Sequence, residues 1–413
     1  MHRVLFLIPS TSYRTSDFLS AARHLGVEIV VGSNHQQALA EFTRNRLATL
    51  SFEPIEKGVS EIVALARRSP ISTIIGVDEQ TTTLAAAASE ALGLMHNSTE
   101  SVATAHDKHR FRCVLERAGI LSPWFRLLSL DEDLAAAAAA VPYPCVLKPL
   151  DLSASRGVIR VDDAAGFLAA CRRIGAILCG IGGLAETRRP EAVLAEAFIP
   201  GREVALEGLL DGGVLRPLAL FDKPDQSHGP FIEETIYVTP SRLSDDHQQA
   251  IIEQTAAAAS ALGLKNGPIH AELRLNNKGP WVIELAARSI GGLCSRALSF
   301  TGGARLEELI LRHALGLPIS NIAREEQASG VMMIPIPRAG QLQAVTGLDA
   351  ARSGPCINDV TISVPIGSEL VPLPEGDRYL GFIFARARLP GEVEAALRDA
   401  HRKLGLNVEP MRH

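Results

Sequence analysis

The segment from Ile269 to Arg288 constrains the fold most, because it has the pattern of two short strands joined by the turn Asn276-Asn-Lys-Gly279. Successive side chains of a strand point to opposite faces, so each strand has one charged and one apolar face. The charged faces carry His270, Glu272 and Arg274 on the first strand, and Glu284, Ala286 and Arg288 on the second. The apolar faces carry Ile269, Ala271 and Leu273, and then Trp281, Ile283 and Leu285. The pattern predicts an antiparallel hairpin with one apolar and one charged face.

The charged face of this hairpin has two interpretations. Glu272 and Glu284 offer the hard oxygen ligands that suit Mg²⁺, and the flanking arginines suit phosphate oxygens. Cross-strand ion pairs on a solvated sheet face would produce the same pattern. The hairpin alone leaves both interpretations open.

The first hundred residues follow a different pattern, in which predicted strands alternate with predicted helices. Val4–Ile8, Val27–Val31 and Ile71–Val77 are predicted strands, and this alternation predicts a parallel sheet covered by helices. No G-x-G-x-x-G follows the first strand, so a dinucleotide site there is not expected. Asp78 and Glu79 come just past a strand end and are candidate substrate contacts.

Composition narrows the classes of function. The 413 residues include 41 basic and 46 acidic ones, so no basic excess is available to bind nucleic acid. No apolar run reaches the length of a membrane span, and no export signal is recognised. The six cysteines include no C-x-x-C pair, which argues against a zinc or redox site and for reduced thiols. We therefore expect a cytoplasmic protein that acts on small molecules.

Two lysines and one strand–turn segment add candidate nucleotide contacts. Lys108 starts an amphipathic helix, and Lys148 ends an apolar strand before a loop of small residues. In that loop, backbone N–H groups and the side chains of Ser153, Ser155 and Arg156 could approach phosphates. The segment Glu196-Ala-Phe-Ile-Pro-Gly-Arg-Glu203 could frame a purine and its ribose. Each signal alone would also fit an ordinary surface loop, helix end or turn.

Taken in order, these segments resemble the ATP-grasp superfamily from about residue 97 to residue 316. The match rests on Asp107-Lys108, Val146-Leu-Lys148-Pro149 with Ser155-Arg-Gly157, Glu196 to Glu203, and Ile283-Glu284-Leu-Ala-Ala-Arg288 with Glu272 upstream. Within it, Phe221-Asp-Lys-Pro224, Phe231-Ile-Glu-Glu-Thr235 and Ile269-His-Ala-Glu272 are similar to L-amino-acid ligases of the bacilysin-synthetase type.

The resemblance implies a multidomain α/β and α+β chain with an ATP-grasp fold. It implies a Rossmann-like N-terminal domain over residues 1–97 and the small ATP-grasp subdomain region over 98–195. The catalytic core would span 196–316, and a C-terminal α/β subdomain 317–413. A homodimer is compatible with this organisation.

The resemblance also implies the roles of individual residues. Its cofactors are ATP and Mg²⁺, with Mn²⁺ as a possible substitute. Lys108 and Lys148 would bind the α- and β-phosphates of the nucleotide. The β- and γ-phosphates would be covered by the loop residues Ser153, Ser155, Arg156 and Gly157. Glu196 and Phe198 would lie beside adenine, and Glu203 would contact the ribose. Glu272 and Glu284 would bind the metal ion. Arg288 would stabilise an acyl phosphate and a tetrahedral intermediate, and Lys148 and Arg274 would add positive charge.

The substrates implied are a small carboxylate, which an amino acid would supply, and an amine. Glu234 aligns with the acidic residue that contacts a substrate amino group, and Tyr237 stands where the bacilysin enzyme has a histidine. Glu234 or His270 is a candidate acceptor for the proton of the attacking amine. Two alternatives stay open, namely another ATP-grasp reaction such as carboxylation of a nucleotide intermediate, and a non-catalytic ATP-binding protein.

Overall fold

The computed structural model describes residues 2–35, 47–181, 192–225, 229–231, 235–319 and 321–411. Its strands are β1 (Arg3–Leu7), β2 (Glu28–Ser33), β3 (Leu47–Thr49), β4 (Thr73–Gly76), β5 (Phe125–Ser129), β6 (Cys145–Pro149), β7 (Ile159–Val161), β8 (Ala192–Ala197), β9 (Arg202–Asp211), β10 (Val214–Lys223), β11 (Ile236–Thr239), β12 (Gly267–Asn276), β13 (Gly279–Ala286), β14 (Ala328–Ile334), β15 (Gly340–Thr346), β16 (Ile357–Ile362), β17 (Glu369–Leu370), β18 (Gly381–Ala387) and β19 (Gly405–Glu409). Its α-helices are α1 (Thr15–His24), α2 (Ile55–Arg68), α3 (Glu79–Leu92), α4 (Thr99–His106), α5 (Lys108–Arg117), α6 (Leu134–Ala140), α7 (Ala164–Ile181), α8 (Asp245–Ala261), α9 (Leu306–Ala314), α10 (Leu348–Arg352) and α11 (Pro390–Arg402).

The N-terminal sheet is parallel, as the alternation of strands and helices predicts. Its strand order is β3-β2-β1-β4, so the first strand lies between the second and the fourth. Leu5, Leu7 and Val30 are buried on this sheet together with Ile62 of α2 and Leu84 of α3. The end of β4 leads directly into α3, and this turn brings Asp78 and Glu79 to the edge of the sheet that faces the rest of the molecule.

A small antiparallel sheet follows, with the order β5-β8-β6-β7. Helices α6 and α7 pack on it around a core that includes Cys145, Leu147 and Phe167. β6 and β8 pair so that Val146 faces Glu196 across the ladder. The predicted boundary between residues 195 and 196 thus lies inside β8.

The largest sheet has eight strands in the order β13-β12-β9-β10-β11-β14-β18-β16. Its first five strands precede residue 316, whereas β14, β18 and β16 follow it. The proposed division at residues 316 and 317 therefore lies in a connection between two parts of one sheet. A further three-stranded sheet, β17-β15-β19, and helix α11 complete the C-terminal part of the chain.

The hairpin of β12 and β13 confirms the predicted faces on the first strand and corrects the placement of two residues on the second. Ile269, Ala271 and Leu273 are fully buried in one core. On β13, a β-bulge makes two residues face one, since Glu272 pairs with Glu284 and Leu273 pairs with Val282. The expectation that Trp281 and Ile283 lie on the apolar core face is therefore wrong, and Trp281 instead pairs with Arg274. Val282 takes the core position, and Ile283 lines the cavity described below.

In the described part of the chain, no helix is long and apolar enough to cross a membrane. The six cysteines are free thiols.

Candidate active site

A cavity of about 360 Å³ lies where the three larger sheets meet. Of the predicted site residues, those that line it are Lys108, Lys148, Ser153, Ser155, Glu196, Phe198, Glu203, Tyr237, His270, Glu272, Arg274, Glu284 and Arg288. Arg156 and Gly157 belong to the same loop as Ser155 but lie outside this lining. Glu234 falls outside the described residues. Asp78 and Glu79, the candidate contacts from the N-terminal domain, also line the cavity.

Positive charge is concentrated at one end of the cavity around the buried carboxylate of Glu196. Arg112 donates to both of its oxygens at 2.7 and 3.3 Å, and Lys148 Nζ lies 2.6 Å from Oε2. Burial favours the neutral acid, but the two cations outweigh it and lower the pKa of Glu196. Burial also lowers the pKa of Lys148, and the single carboxylate only partly opposes this. One carboxylate is thus shared by two cations. Because it cannot neutralise both, the arrangement is suited to an added anion.

Arg112 is a functional residue that sequence reasoning missed. Its guanidinium also donates to the backbone oxygens of Val282 and Ile283 at 3.2 and 2.5 Å, so it holds the bulge of β13 in place. The available signal was a charged residue next to Phe111 on the buried face of α5, where Arg112 is 1% exposed.

The loop after β6 contains three residues with left-handed backbone conformations. Ala154 and Ser155 have φ of 55° and 56°, and Gly157 has φ of 71°. Left-handed residues other than glycine are uncommon. The N–H groups of Arg156, Gly157 and Val158 donate to the carbonyls of Ser153, Pro374 and Ser155 at 3.2, 2.9 and 3.1 Å, so in this conformation they are used within the protein. The ammonium group of Lys108 donates to the carbonyl of Leu152 at 2.6 Å and so connects the start of α5 to this loop.

Phe198, which lines the cavity, has two arginine side chains beside its ring. The guanidinium carbons of Arg160 and Arg274 lie 4.3 and 4.7 Å from the centre of its ring. Arg274 also forms an ion pair with Glu203 at 2.6 Å, and Lys223 contacts the other oxygen of Glu203. Lys223, on β10, is a second missed residue, and it is only 7% exposed. Glu203 therefore enters the cavity already paired with two cations.

The two predicted metal ligands are direct cross-strand neighbours. Glu272 of β12 and Glu284 of β13 are in register, and both line the cavity. Glu272 Oε1 accepts a hydrogen bond from Tyr237 Oη at 3.0 Å and lies 3.2 Å from Lys223 Nζ. The Glu284 carboxylate forms no hydrogen bond or close ion pair within the described chain. A carboxylate held in a cavity without such a partner fits a cation.

A third acidic or histidine ligand does not complete this pair. Within the described ranges, no group of three or more His, Cys, Asp or Glu side chains has metal-binding geometry. Mg²⁺ commonly uses one or two protein carboxylates and takes its remaining oxygens from phosphates and water. Two carboxylates beside a cationic cluster therefore match a metal that arrives with a nucleotide.

His270 is held by two carboxylates and is poorly suited to act as a base in this arrangement. Its Nδ1 lies 2.5 Å from Glu207 Oε1, and its Nε2 lies 3.4 Å from Glu272 Oε1. Burial lowers the pKa of His270, but the two carboxylates outweigh burial and raise it to about 9. Glu207, which is fully buried, also accepts from the backbone N–H of Ile290 at 3.1 Å. Through Glu207, His270 thus connects β12, which carries Glu272, to the segment after Arg288.

Arg288 reaches the cavity from the segment that follows β13. Its Nε lies 2.5 Å from Glu79 Oε2, and its Nη1 donates to the carbonyl of Ser289 at 2.9 Å. Burial opposes charge on both side chains, but their pairing outweighs it, so the pKa of Arg288 is raised and that of Glu79 is lowered. The guanidinium and the carboxylate are therefore both ionised.

The far side of the cavity is formed by residues that the sequence did not single out. Tyr13 comes from the N-terminal domain, while Asp377 and Tyr379 precede β18. Burial raises the pKa of the Tyr13 hydroxyl, so it stays protonated at neutral pH. These residues belong to no motif, and only the fold brings them together.

Three family models match successive parts of the chain. Residues 19–95 match the ATP-grasp N-terminal domain, residues 141–297 the ATP-grasp domain, and residues 332–409 the L-amino acid ligase C-terminal domain 2. The matched ranges contain most of the cavity-lining residues described above.

Individual relatives agree with the family matches. An alanine–anticapsin ligase of Bacillus subtilis is 27% identical over 327 residues, covering 75% of this chain and 69% of the relative. A D-alanine–D-alanine ligase of Aromatoleum aromaticum is 31% identical over 186 residues, covering 44% of this chain and 56% of the relative. The crystal structure of an L-amino acid ligase from Bacillus licheniformis superposes with a TM-score of 0.81 at 24% identity, covering 99% of both chains. This last similarity shows a shared fold.

Proposed function

Because the chain belongs to the ATP-grasp superfamily and resembles L-amino-acid ligases of the bacilysin-synthetase type, we propose that it condenses an amino acid with an amine through an acyl phosphate. It is a carboxylate–amine ligase that forms a carbon–nitrogen bond. The proposal concerns its substrates and the residues that act on them. The products would be a dipeptide or related amide, ADP and phosphate.

One observation carries this proposal more than any other. The paired carboxylates of Glu272 and Glu284 share a cavity with the cations Lys148 and Arg288. Phosphoryl transfer needs positioning and neutralisation of charge more than covalent catalysis, and this set of groups supplies both. A protein that only bound ATP would have no need of Arg288 at the substrate side of the same cavity.

The reaction would proceed in two steps. A carboxylate oxygen of the first substrate attacks the γ-phosphorus of ATP, the bond to the β–γ bridging oxygen breaks, and ADP is released. The amine nitrogen then attacks the acyl carbon, the bond from that carbon to the phosphate oxygen breaks, and phosphate leaves and takes up the proton that the nitrogen loses. A metal ion bound by Glu272 and Glu284 would neutralise charge on the phosphates.

The protein's own side chains would hold the reacting groups. Lys108 and Lys148 would hold the phosphates, the loop at Ser153, Ser155, Arg156 and Gly157 would cover them, and Phe198 and Glu203 would face the nucleoside. For Glu196, the two cations on its carboxylate support a role in orienting Lys148 beside the adenine site. Arg274 and Arg288 would stabilise negative charge on the transferred phosphoryl group and on the tetrahedral intermediate.

The amino acid itself would be recognised by its ammonium group. Glu234 is proposed to pair with the α-ammonium of the amino acid whose carboxylate is activated, with Tyr237 and His270 nearby. A buried carboxylate rejects ligands that lack the charge, because it would then be left unpaired. Glu234→Ala should lose most activity on the amino acid and discriminate less against its des-amino analogue. Unchanged discrimination would place amine recognition elsewhere.

The test of the proposed function is a screen of amino-acid pairs. The protein is incubated with ATP and Mg²⁺ while phosphate release is measured, and the products are identified by mass spectrometry. We expect phosphate release that depends on an amino acid, together with a condensation product and ADP. Phosphate release that instead requires bicarbonate and a nucleotide would support carboxylation, and no release with any pair would contradict the proposal. A homodimer remains a prediction that sedimentation can check.

A further inference from the structure

The N-terminal domain makes an ion pair with the proposed catalytic arginine. Glu79 is the first residue of α3, directly after the turn that ends β4. Its Oε2 lies 2.5 Å from Arg288 Nε, and the two side chains are 14% and 13% exposed. Both line the same cavity as Glu284, whose carboxylate also attracts Arg288. Asp78 and Glu207 attract the guanidinium as well, so carboxylates from both the N-terminal domain and the large sheet act on it.

A second contact ties the next residues of the same segment to the N-terminal domain. Arg14, at the start of α1, donates to Ser289 Oγ at 2.6 Å and to the carbonyl of Val77 at 3.1 Å. Arg14 is 1% exposed, so this link is buried between the domains. The backbone after Arg288 is therefore fixed to the same strand end that presents Glu79.

This geometry leaves the direction of Arg288 dependent on Glu79. An arginine has several rotatable bonds, and of the carboxylates that attract Arg288 in the described chain, Glu79 is the one in ion-pair contact with it. A metal ion at Glu272 and Glu284 would take up the charge of Glu284, and Glu79 would then be the carboxylate that directs the guanidinium. The Nε contact leaves other N–H groups of the guanidinium to meet a ligand.

We propose that Glu79 is a positioning residue that aims Arg288 at the reacting phosphoryl and acyl groups, so that the N-terminal domain completes the active site. This inference rests on the proposed function of Arg288. Its structural part, however, can be tested without turnover.

The structural test follows the Arg288 side chain directly by NMR of protein labelled with ¹⁵N-arginine. The Nε–H signal of Arg288 is identified by its loss in Arg288→Lys. We expect Glu79→Gln to shift and broaden this signal, and Glu79→Asp to do so less. Glu90→Gln, an exposed change on the same helix, should leave it unaltered. An unaltered Arg288 signal in Glu79→Gln would overturn the proposal, even if the protein proved to have another activity.

The kinetic test asks whether Glu79 acts through Arg288. Misplacement by about 1 Å can cost about a hundredfold in rate, so Glu79→Gln should lower kcat by up to about that factor with little change in the KM for ATP. In an Arg288→Lys background, the same substitution should add little further loss. Equal losses in both backgrounds would show a general structural role and overturn the proposal. If wild-type protein makes no product, the proposed function fails and the NMR result still decides the positioning.

Discussion

At the scale of single residues, the site is organised by carboxylates that each serve more than one cation. Glu196 holds Arg112 and Lys148, and Glu203 contacts Arg274 and Lys223. The cations are thereby held in fixed orientations although they are largely buried. An anionic ligand that enters the cavity therefore meets cations that are already ordered by their carboxylate partners.

Lys148 gives the first test at this scale. Its ammonium group is 7% exposed at the end of β6 and should contact a phosphate of ATP. A lost charge-assisted contact costs about 1.5–3 kcal/mol, which corresponds to roughly tenfold to more than a hundredfold in affinity. We therefore expect calorimetry to show that Lys148→Ala binds ATP with Mg²⁺ more weakly by this factor. Lys278→Ala, at the exposed tip of the β12–β13 hairpin, is the matched control, and equal affinities for the two variants would refute the placement.

Glu284 gives the second test. Replacing its carboxylate by an amide removes one of the two proposed metal ligands and barely changes the shape of the side chain. Turnover of Glu284→Gln should fall by about two orders of magnitude or more, because charge on the transferred phosphoryl group is no longer neutralised. The melting temperature should stay close to that of wild type, as it should in the control Glu253→Gln on the exposed face of α8. Near-normal turnover of Glu284→Gln would show that the metal is bound elsewhere.

At the scale of elements, the segment before β18 connects the small sheet and its helix to the C-terminal part of the chain. Arg173 of α7 donates to both oxygens of Glu375 at 2.6 and 2.9 Å. The N–H of Gly157 donates to the carbonyl of Pro374 at 2.9 Å, and Arg156 lies 3.6 Å from Asp377. The loop after β6 is therefore attached to the C-terminal part of the chain, which also supplies Tyr379 to the cavity wall.

The Arg173–Glu375 pair predicts a measurable effect on nucleotide binding. Both side chains are well exposed, so the contact is weak, and its loss should raise the KM for ATP by no more than about fivefold. We expect this rise in Glu375→Gln and in Arg173→Gln, but not in Glu369→Gln on nearby β17. The exchanged pair Arg173→Glu with Glu375→Arg should restore most of the wild-type KM. If the exchanged pair is no better than either single variant, the contact does not hold the loop.

Elements with strict periodicity could be predicted from the sequence. Alternation identified β12 and its charged face, and the strand–helix alternation identified the parallel N-terminal sheet. The bulge at Ile283 could not be predicted, because an extra residue in one strand leaves the local hydrophobic pattern ambiguous. The place of Arg112 and Lys223 in the site could not be predicted either, because the role of a charged residue inside an apolar element becomes clear only once its partners are known. Tyr13 and Asp377 come from distant parts of the chain and meet only in the folded molecule.

At the scale of the whole molecule, the cavity is assembled from every part of the chain. The N-terminal domain contributes Glu79, the small sheet Lys148, the large sheet Glu272 and Glu284, and the C-terminal part Tyr379. This arrangement brings cations, carboxylates and tyrosines together in the lining of one cavity. Joining a phosphoryl donor to a carboxylate requires such a shared space, because the two reactants must meet in line.

The most direct test of this account follows one oxygen atom through the reaction. Both carboxylate oxygens of the amino acid to be activated are labelled with ¹⁸O. This amino acid is incubated with the protein, ATP, Mg²⁺ and an amine partner, and the released phosphate is examined by mass spectrometry. If the carboxylate is activated as an acyl phosphate, one labelled oxygen leaves with each phosphate that accompanies product formation. Unlabelled phosphate alongside product, or label found in AMP, would contradict the central claim.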